Sequence, residues 1–499
     1  MEWLLTKGAL VALAAGVLSW GVVEVVRRAA SARGWTAPVR GDRWHTDATP
    51  LFGGVGIAIA FVAAIGVTRG VSDAFRDATS AAAGIAVAIV GGGVLAAIIG
   101  VIDDVAHLRP PAKLAAQTGC ACLFLWTAGG IPIVGVPALD TLLAVVWIVA
   151  MMNAVNMLDN MDGVAASAAM VGLEACALAA PGDDTGRVLG LIAMAATGAT
   201  TGFLIHNWPK ARIFMGDGGS LLLGFLLAAL PLSIGAQRSS AITDGATAPA
   251  WMTIALTAVG VGFVPLLDMV VVSLTRIRRG QSPMVGGRDH TTHRLAERGW
   301  SSHRVAVTSV LAATLGAVVV VMTDYGLVAA PIAASALVVL AVGAVIGLVR
   351  MAIAMDNAAQ LPRADAVHRR EAYEPLAKAL VDVTLVASTV WLGYLIRWNW
   401  TIPPELTNSI AWSLPLVIAC CVGASCASGA YWRAWRGASL IDLRGRVIWA
   451  CAGGALSFVL VAAMWSPERL FSRAAMATFV VAYPAAVLLT MCTFRWRWR

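Results

Sequence analysis

SAAAGIAVAIVGGGVLAAIIGVIDD, residues 80–104, is the stretch from which the fold can be read. Its first 23 residues carry no charge, and it closes on two adjacent acids, Asp103 and Asp104. About 20 apolar residues in a helix cross the hydrocarbon core of a bilayer. A membrane strand is shorter and alternates apolar with polar positions. This run is continuous, so it reads as a transmembrane helix with a carboxylate pair at one end.

Runs of the same kind recur along the whole chain. Hydrophobic residues make up 59% of the 499 residues and charged residues 13%. A soluble domain carries roughly a quarter charged residues, so a soluble fold is excluded. The expected fold class is all-α, a polytopic transmembrane helical protein. Helices are expected at about 8–26, 50–68, 80–101, 113–128, 139–155, 163–180, 188–206, 217–236, 250–275, 305–322, 327–349, 380–396, 410–431, 447–465 and 474–494. The first run is followed by Arg27 and Arg28 and shows no small-residue cleavage site. It is therefore expected to be a retained span rather than a signal peptide. The eight cysteines have no CxxC spacing and lie mostly in apolar runs, as Cys120, Cys122 and Cys451 do. They read as small packing residues.

Charge fixes an orientation. With fifteen helices, one set of alternate loops holds 28 Lys and Arg residues and the other, with the N-terminus, holds eight. Cytoplasmic loops are the basic ones. The N-terminus is thus expected outside and the C-terminus inside, in a plasma (inner) membrane. The same asymmetry accounts for the net charge of +8, so no nucleic acid partner is called for. Residues 351–379 are polar, contain two prolines and lack an apolar face. They divide the chain into an eleven-helix part, 1–350, a cytoplasmic linker or surface helix, 351–379, and a four-helix membrane module, 380–499.

The chemistry gathers on one face. Asp103 and Asp104 end an apolar run, Asp159 and Asp162 lie in NAVNMLDNMDG, and Asp217 lies in IFMGDGGS. In this topology all five come to the cytoplasmic side. Carboxylates at membrane depth are costly and usually have a partner or a function. Oxygen ligands without clustered cysteines suit Mg²⁺ or Mn²⁺, with substrate phosphates completing the shell. The glycines around Asp217 allow backbone to approach a phosphate. The basic loop 276–304 adds Arg288, His290, His293 and Arg294 within seven residues. Such side chains hold diphosphates and sugar hydroxyls. A metal- and phosphate-handling site at the cytoplasmic face follows, where a diphosphate donor and a lipid acceptor can meet.

At these residues the chain resembles the polyprenyl-phosphate N-acetylhexosamine-1-phosphate transferases, a superfamily that includes the phospho-MurNAc-pentapeptide transferase. Five segments are similar to the family's motifs and follow their order: HTDATPLFGG (His45–Gly54), DDVAHLRPPAKLAAQ (Asp103–Gln117), NMLDNMDG (Asn156–Gly163), MGDGGS (Met215–Ser220) and RDHTTHRL (Arg288–Leu295). Four positions depart from the pattern. Ala48 stands for a proline, Asn160 for a glycine and Thr292 for the middle histidine of the last motif, while Gly287 stands where an aspartate often precedes the arginine. The departures in the last motif make the pentapeptide branch a poorer match.

The resemblance implies transfer of a sugar-1-phosphate from a UDP-sugar donor to undecaprenyl phosphate in the membrane lipid, with release of UMP, to start a cell-envelope glycan. It implies Asp217 and Asp159 near Mg²⁺, with Asn156 beside them, and Asp103 and Asp104 as the catalytic acid pair, with Asp159 and Asp162 part of the same machinery. His45, Arg288, His290, His293 and Arg294 would contact donor phosphate or sugar, and Lys113 the lipid phosphate. Direct attack by the acceptor and a covalent aspartyl route both remain open.

Residues 382–398 and 429–443 resemble the four-helix membrane anchor ahead of membrane-bound nucleotide-sugar dehydratases and epimerases. No dinucleotide-binding domain follows within the sequence, so no activity is carried over. A homodimer contact, a partner-enzyme site, a passive anchor and a fusion remnant are the roles open to the module. Two rival readings of the whole chain are a flippase for a polyprenyl-linked sugar and an inactive scaffold. Transporters place charges near the midplane on helices related by repeats. Here the acids sit at one face and no repeat shows.

Overall fold

A computed structural model describes residues 4–36, 49–71, 79–241, 250–279, 281, 287, 289–358, 368–398, 410, 413–414, 417–418, 420–425, 428, 440–463 and 472–496. After a π-helical turn, Leu4–Gly8, the helices are α1 (Ala9–Arg33), α2 (Gly53–Val71), α3 (Ser80–Ala106), α4 (Pro110–Thr127), α5 (Pro137–Leu158), α6 (Val164–Ala179), α7 (Asp184–Asn207) and α8 (Gly216–Ala241). They continue with α9 (Ala250–Val261), α10 (Phe263–Arg278), α11 (Thr291–Glu297), α12 (Ser302–Asp324), α13 (Ala330–Ala358), α14 (His368–Arg397), α15 (Leu440–Ala463) and α16 (Arg473–Trp496).

The protein is all-α and polytopic, as expected. Among the described residues ten helices are long and apolar enough to cross a membrane, and eleven with α9–α10 counted as one broken span. The expected helix over 410–431 lies largely outside the described residues. Helix starts follow local chemistry. The Thr79 hydroxyl accepts from the Ala82 amide at 3.2 Å, Asp183 accepts from the Gly186 amide at 3.0 Å, and Ser301 accepts from the Arg304 amide at 3.3 Å. Pro110 and Pro137 open α4 and α5, where a missing N–H costs nothing.

One expected element divides. The single helix read over 250–275 is two, α9 and α10, bent by 80° at Gly262. Pro265 explains the break: it has no N–H for the Val261 carbonyl, and its ring crowds that position. The bend sets the direction of α10, which carries Asp268.

The chain forms two compact units, Met1–Ala246 with Thr253–Leu327, and Thr247–Met252 with Val328–Arg499. The division falls ahead of α13 rather than in the polar stretch 351–379. The reason is that α13 packs on α14, so it belongs with the later helices. That polar stretch forms the end of α13 and the start of α14, and 359–367 lie outside the described residues. In the second unit α16 packs on both α14 and α15. A buried ion pair joins Arg446 of α15 to Asp382 of α14.

The first unit holds the motifs. Contacts bring the ends of α1, α3, α5 and α7 and the starts of α2, α4, α6 and α8 together. There the segment before α2 pairs with the segment before α8. The Gly53 amide donates to Phe214 O at 2.9 Å, the Gly54 amide to Met215 O at 2.8 Å, and the Phe214 amide to Pro50 O at 2.8 Å. This approach needs glycine. A Cβ at Gly54 would lie 2.1 Å from Gly219 N, and one at Gly100 would lie 2.1 Å from Asp217 O. Gly54→Ala is therefore expected to lower stability by about 1–3 kcal/mol, the usual cost of overpacking. Gly66→Ala, which meets nothing within 4 Å and puts a better helix former inside α2, should not lower the melting temperature. Thermal melts of the two variants in detergent check this pair.

Candidate functional site

Four helices meet on one ammonium group. Lys113, in the first turn of α4, places Nζ 2.7 Å from Asp103 Oδ2 at the end of α3 and 2.5 Å from Asp217 Oδ2 at the start of α8. The same Nζ donates to Asn156 Oδ1 on α5 at 3.1 Å. Asn156 turns its amide to Asp217 Oδ1 at 2.8 Å and to the Ser220 hydroxyl at 2.9 Å. Spacing explains the arrangement, because residues four apart on a helix share a face. Lys113 and Gln117 on α4 both look toward α5, where the Asn153 amide donates to Gln117 Oε1 at 2.8 Å. The Leu108 amide donates to Asp103 Oδ1 at 2.8 Å, which leaves Oδ2 for the lysine.

The second acid of the pair is placed differently. Asp104 accepts from the Asp217 amide at 2.9 Å and from the Gly218 amide at 3.1 Å. Its carboxylate therefore caps the start of α8, whose first amides have no partner within the helix. Adjacent residues thus do separate jobs: Asp103 joins the charged cluster, and Asp104 fixes the helix that presents Asp217. Asp159 is the C-cap of α5, three residues beyond Asn156. Asp162 accepts from the Ala211 amide at 3.0 Å, and the Gly163 amide donates to Asn207 Oδ1 at 2.9 Å. These bonds pin the acidic turn 159–163 to the loop that leads into α8.

The basic segment forms a second cluster. His290 Nδ1 lies 2.9 Å from Asp268 Oδ2, while Asp268 Oδ1 accepts from the Thr291 amide at 2.8 Å. A carboxylate engaged this way only accepts, so Nδ1 carries the proton and exchange with a ligand falls to Nε2. His290 and His293 stand with ring centroids 6.1 Å apart. Arg276 binds Asp289 through two nitrogens, at 3.0 and 2.7 Å. Arg294 Nε donates to the Asp289 carbonyl at 3.0 Å. Burial opposes the charge on Asp289, but the Arg276 guanidinium outweighs it and holds the carboxyl below its ordinary range.

Asp268, Asp289 and Arg276 were not singled out by the sequence reading. Asp268 had a signal, as a lone acid in the apolar stretch FVPLLDMVVVSL, a placement that usually marks a functional or paired group. Asp289 and Arg276 gave none apart from their neighbours. His45 and Arg288 lie outside the described residues.

The donor set suits a hard divalent cation. Asp103, Asp217 and Asn156 offer oxygen atoms, and the Lys113 ammonium already occupies a cation position between the two carboxylates. Mg²⁺ commonly takes one or two carboxylates and leaves the rest of its shell to phosphates and water. Among the described residues no three His, Cys, Asp or Glu side chains form a cage of their own.

The fold and site together are those of a membrane helical bundle with carboxylates and a lysine gathered at one helix start and a second cluster of buried histidines. Comparison with known sequences makes this specific. Residues 86–235 match the model of glycosyl transferase family 4. The chain is 32% identical over 317 residues to decaprenyl-phosphate N-acetylglucosaminephosphotransferase of Mycobacterium tuberculosis, covering 60% of this chain and 78% of that protein. A probable undecaprenyl-phosphate N-acetylglucosaminyl 1-phosphate transferase of Bacillus subtilis is 29% identical over 296 residues, covering 57% of this chain and 76% of the relative. The undecaprenyl-phosphate alpha-N-acetylglucosaminyl 1-phosphate transferase of Escherichia coli is 31% identical over 188 residues, 36% of this chain and 46% of its own. The chain belongs to glycosyl transferase family 4.

The ion pair at Asp289 carries a pH signature. A carboxyl held below its unfolded value adds stability that is complete above that value and is lost as the pH falls through the folded one. Asp289→Asn should melt below the wild type at pH 7. The gap should close as the pH drops beneath the ordinary value of 3.8. Melting curves of both proteins across pH 3 to 7 read it directly.

Proposed function

We propose that this protein transfers an N-acetylhexosamine-1-phosphate from a UDP-sugar to undecaprenyl phosphate, with release of UMP, at the cytoplasmic face of the plasma membrane. The observation that supports this best is the single cationic centre shared by Asp103, Lys113, Asn156 and Asp217, in a chain of this family. The reaction joins an acceptor phosphate oxygen to the sugar-bearing phosphorus of the donor. The bond from that phosphorus to the bridging oxygen breaks, and UMP leaves with the bridging oxygen. Such transfers rely on positioning and on charge stabilisation.

Each residue has a part in this scheme. Asp103 is the base that keeps the acceptor phosphate deprotonated, because it lies in the charged cluster beside Lys113 while both oxygens of Asp104 are held by backbone amides. In this scheme the acceptor attacks directly, with no aspartyl intermediate. Lys113 draws the acceptor phosphate to the junction of α3, α4 and α8. His290, aligned by Asp268, with His293 and Arg294, holds the donor phosphates and sugar, a role the family resemblance also gives Arg288 and His45. Asp217, with Asn156 bonded to it, would hold Mg²⁺ or Mn²⁺, with Asp159 added by the family resemblance, and the ion would supply charge neutralisation for a diphosphate donor.

Purified protein supplied with undecaprenyl phosphate, Mg²⁺ and a panel of UDP-sugars is expected to release UMP from one of them. Release should need both metal and lipid. Asp103→Asn should cut kcat roughly 10²–10⁴-fold, the usual contribution of a general base, and Asp217→Asn should abolish the response to Mg²⁺. A folded protein that releases no UMP from any donor would overturn the reading.

A further inference from the structure

Two of the positions that depart from the family pattern touch each other. Asn160 stands in the acidic turn where the pattern has glycine, and Thr292 stands in α11 where it has histidine. They are 132 residues apart in sequence, yet Thr292 Oγ1 donates to Asn160 Oδ1 at 2.5 Å. The orientation of the asparagine is fixed, because its Nδ2 donates to the Met157 carbonyl at 2.7 Å. Oδ1 is therefore the acceptor. Thr292 is 3% exposed, so its hydroxyl is spent on this bond and does not face a ligand.

The two side chains depend on each other. With glycine at 160 the buried Thr292 hydroxyl would lose its acceptor, and an unsatisfied buried polar group costs more than the bond contributes. With histidine at 292 an imidazole would have to occupy the space of a hydroxyl against the Asn160 amide. The bond also joins the two halves of the site. Asn160 lies between Asp159 and Asp162 and follows Asn156, which contacts Lys113 and Asp217. Thr292 lies between His290 and His293 on a seven-residue helix, Thr291–Glu297. The anchors of that helix on the other side come from Asp268 to His290 and Thr291.

We propose that Thr292 and Asn160 are a positioning pair that latches the histidine-bearing helix α11 onto the acidic turn 159–163 and thereby sets the donor side of the site. The pair touches no substrate. It acts by fixing His290 and His293 relative to the turn that carries Asp159 and Asp162. This inference rests on the proposed transferase reading for its kinetic signature.

The test compares Thr292→Val, which keeps the shape and removes the hydroxyl, Thr292→Ser, which keeps the hydroxyl, Asn160→Ala, and the double variant Thr292→Val/Asn160→Ala. Thr292→Val and Asn160→Ala are each expected to raise KM for the UDP-sugar that the wild type uses by roughly five- to tenfold, the worth of one hydrogen bond. KM for undecaprenyl phosphate should stay within about twofold. Thr292→Ser should match the wild type, and the double variant should be no worse than either single one, as coupling through one shared bond requires. Multiplying losses, an unchanged donor KM, or a Thr292→Ser variant as impaired as Thr292→Val would each overturn the pair. Hydrogen exchange of the 291–297 amides gives an arm independent of turnover. If the wild type uses no donor, the transferase reading fails, and this arm decides the latch alone. Faster exchange in Thr292→Val but not in Thr292→Ser supports the latch, and equal exchange in all variants overturns it.

Discussion

One ammonium group holds this site together. Lys113 Nζ reaches Asp103, Asp217 and Asn156, so a single cation draws the ends of α3 and α5 and the start of α8 to the start of α4. In a low-dielectric setting this is a strong constraint. Charges removed from water are tolerated only when paired with good geometry, and stripping one partner from a buried pair costs about 3–5 kcal/mol. The lysine balances two carboxylates that would otherwise repel each other at the membrane surface. It also keeps them close enough to serve one phosphorylated ligand.

Much of the surrounding fold supports that junction. Asp104 caps α8 and so fixes the backbone from which Asp217 projects. The absence of side chains at Gly54 and Gly100 lets α2 and α3 come against the same helix start. Asp162 and Asn207 tie the turn after α5 to the loop before α8. The acidic half is thus rigid through backbone contacts rather than through its charges alone. The histidine half is placed by side chains: Asp268 from the redirected α10, the Arg276–Asp289 pair, and the Thr292–Asn160 bond.

The second unit has its own polar centre, the buried pair of Asp382 and Arg446. Ion pairs inside apolar helical modules fix which helix faces meet. The proposed chemistry draws on none of its residues. The likeness of this part to a dehydratase anchor remains a sequence resemblance, and the structure adds that α13 packs with it.

The sequence by itself determined the class of fold and one face of the site. Long uncharged runs can be satisfied in a bilayer only as helices, and the basic residues collect in alternate loops. Asp103, Asp217, Asn156 and Lys113 were legible because each stands at the end of an apolar run, in a motif with its neighbours. Tertiary structure alone decided how the work divides between Asp103 and Asp104, because adjacent residues of one type differ only in what their helix faces. It decided that Asp268 serves His290, since that depends on the bend at Gly262 and Pro265. It also decided that Asn160 and Thr292, two unrelated departures along the chain, are one interaction. Residues 132 apart carry no local pattern that couples them, and only packing brings them within a hydrogen bond.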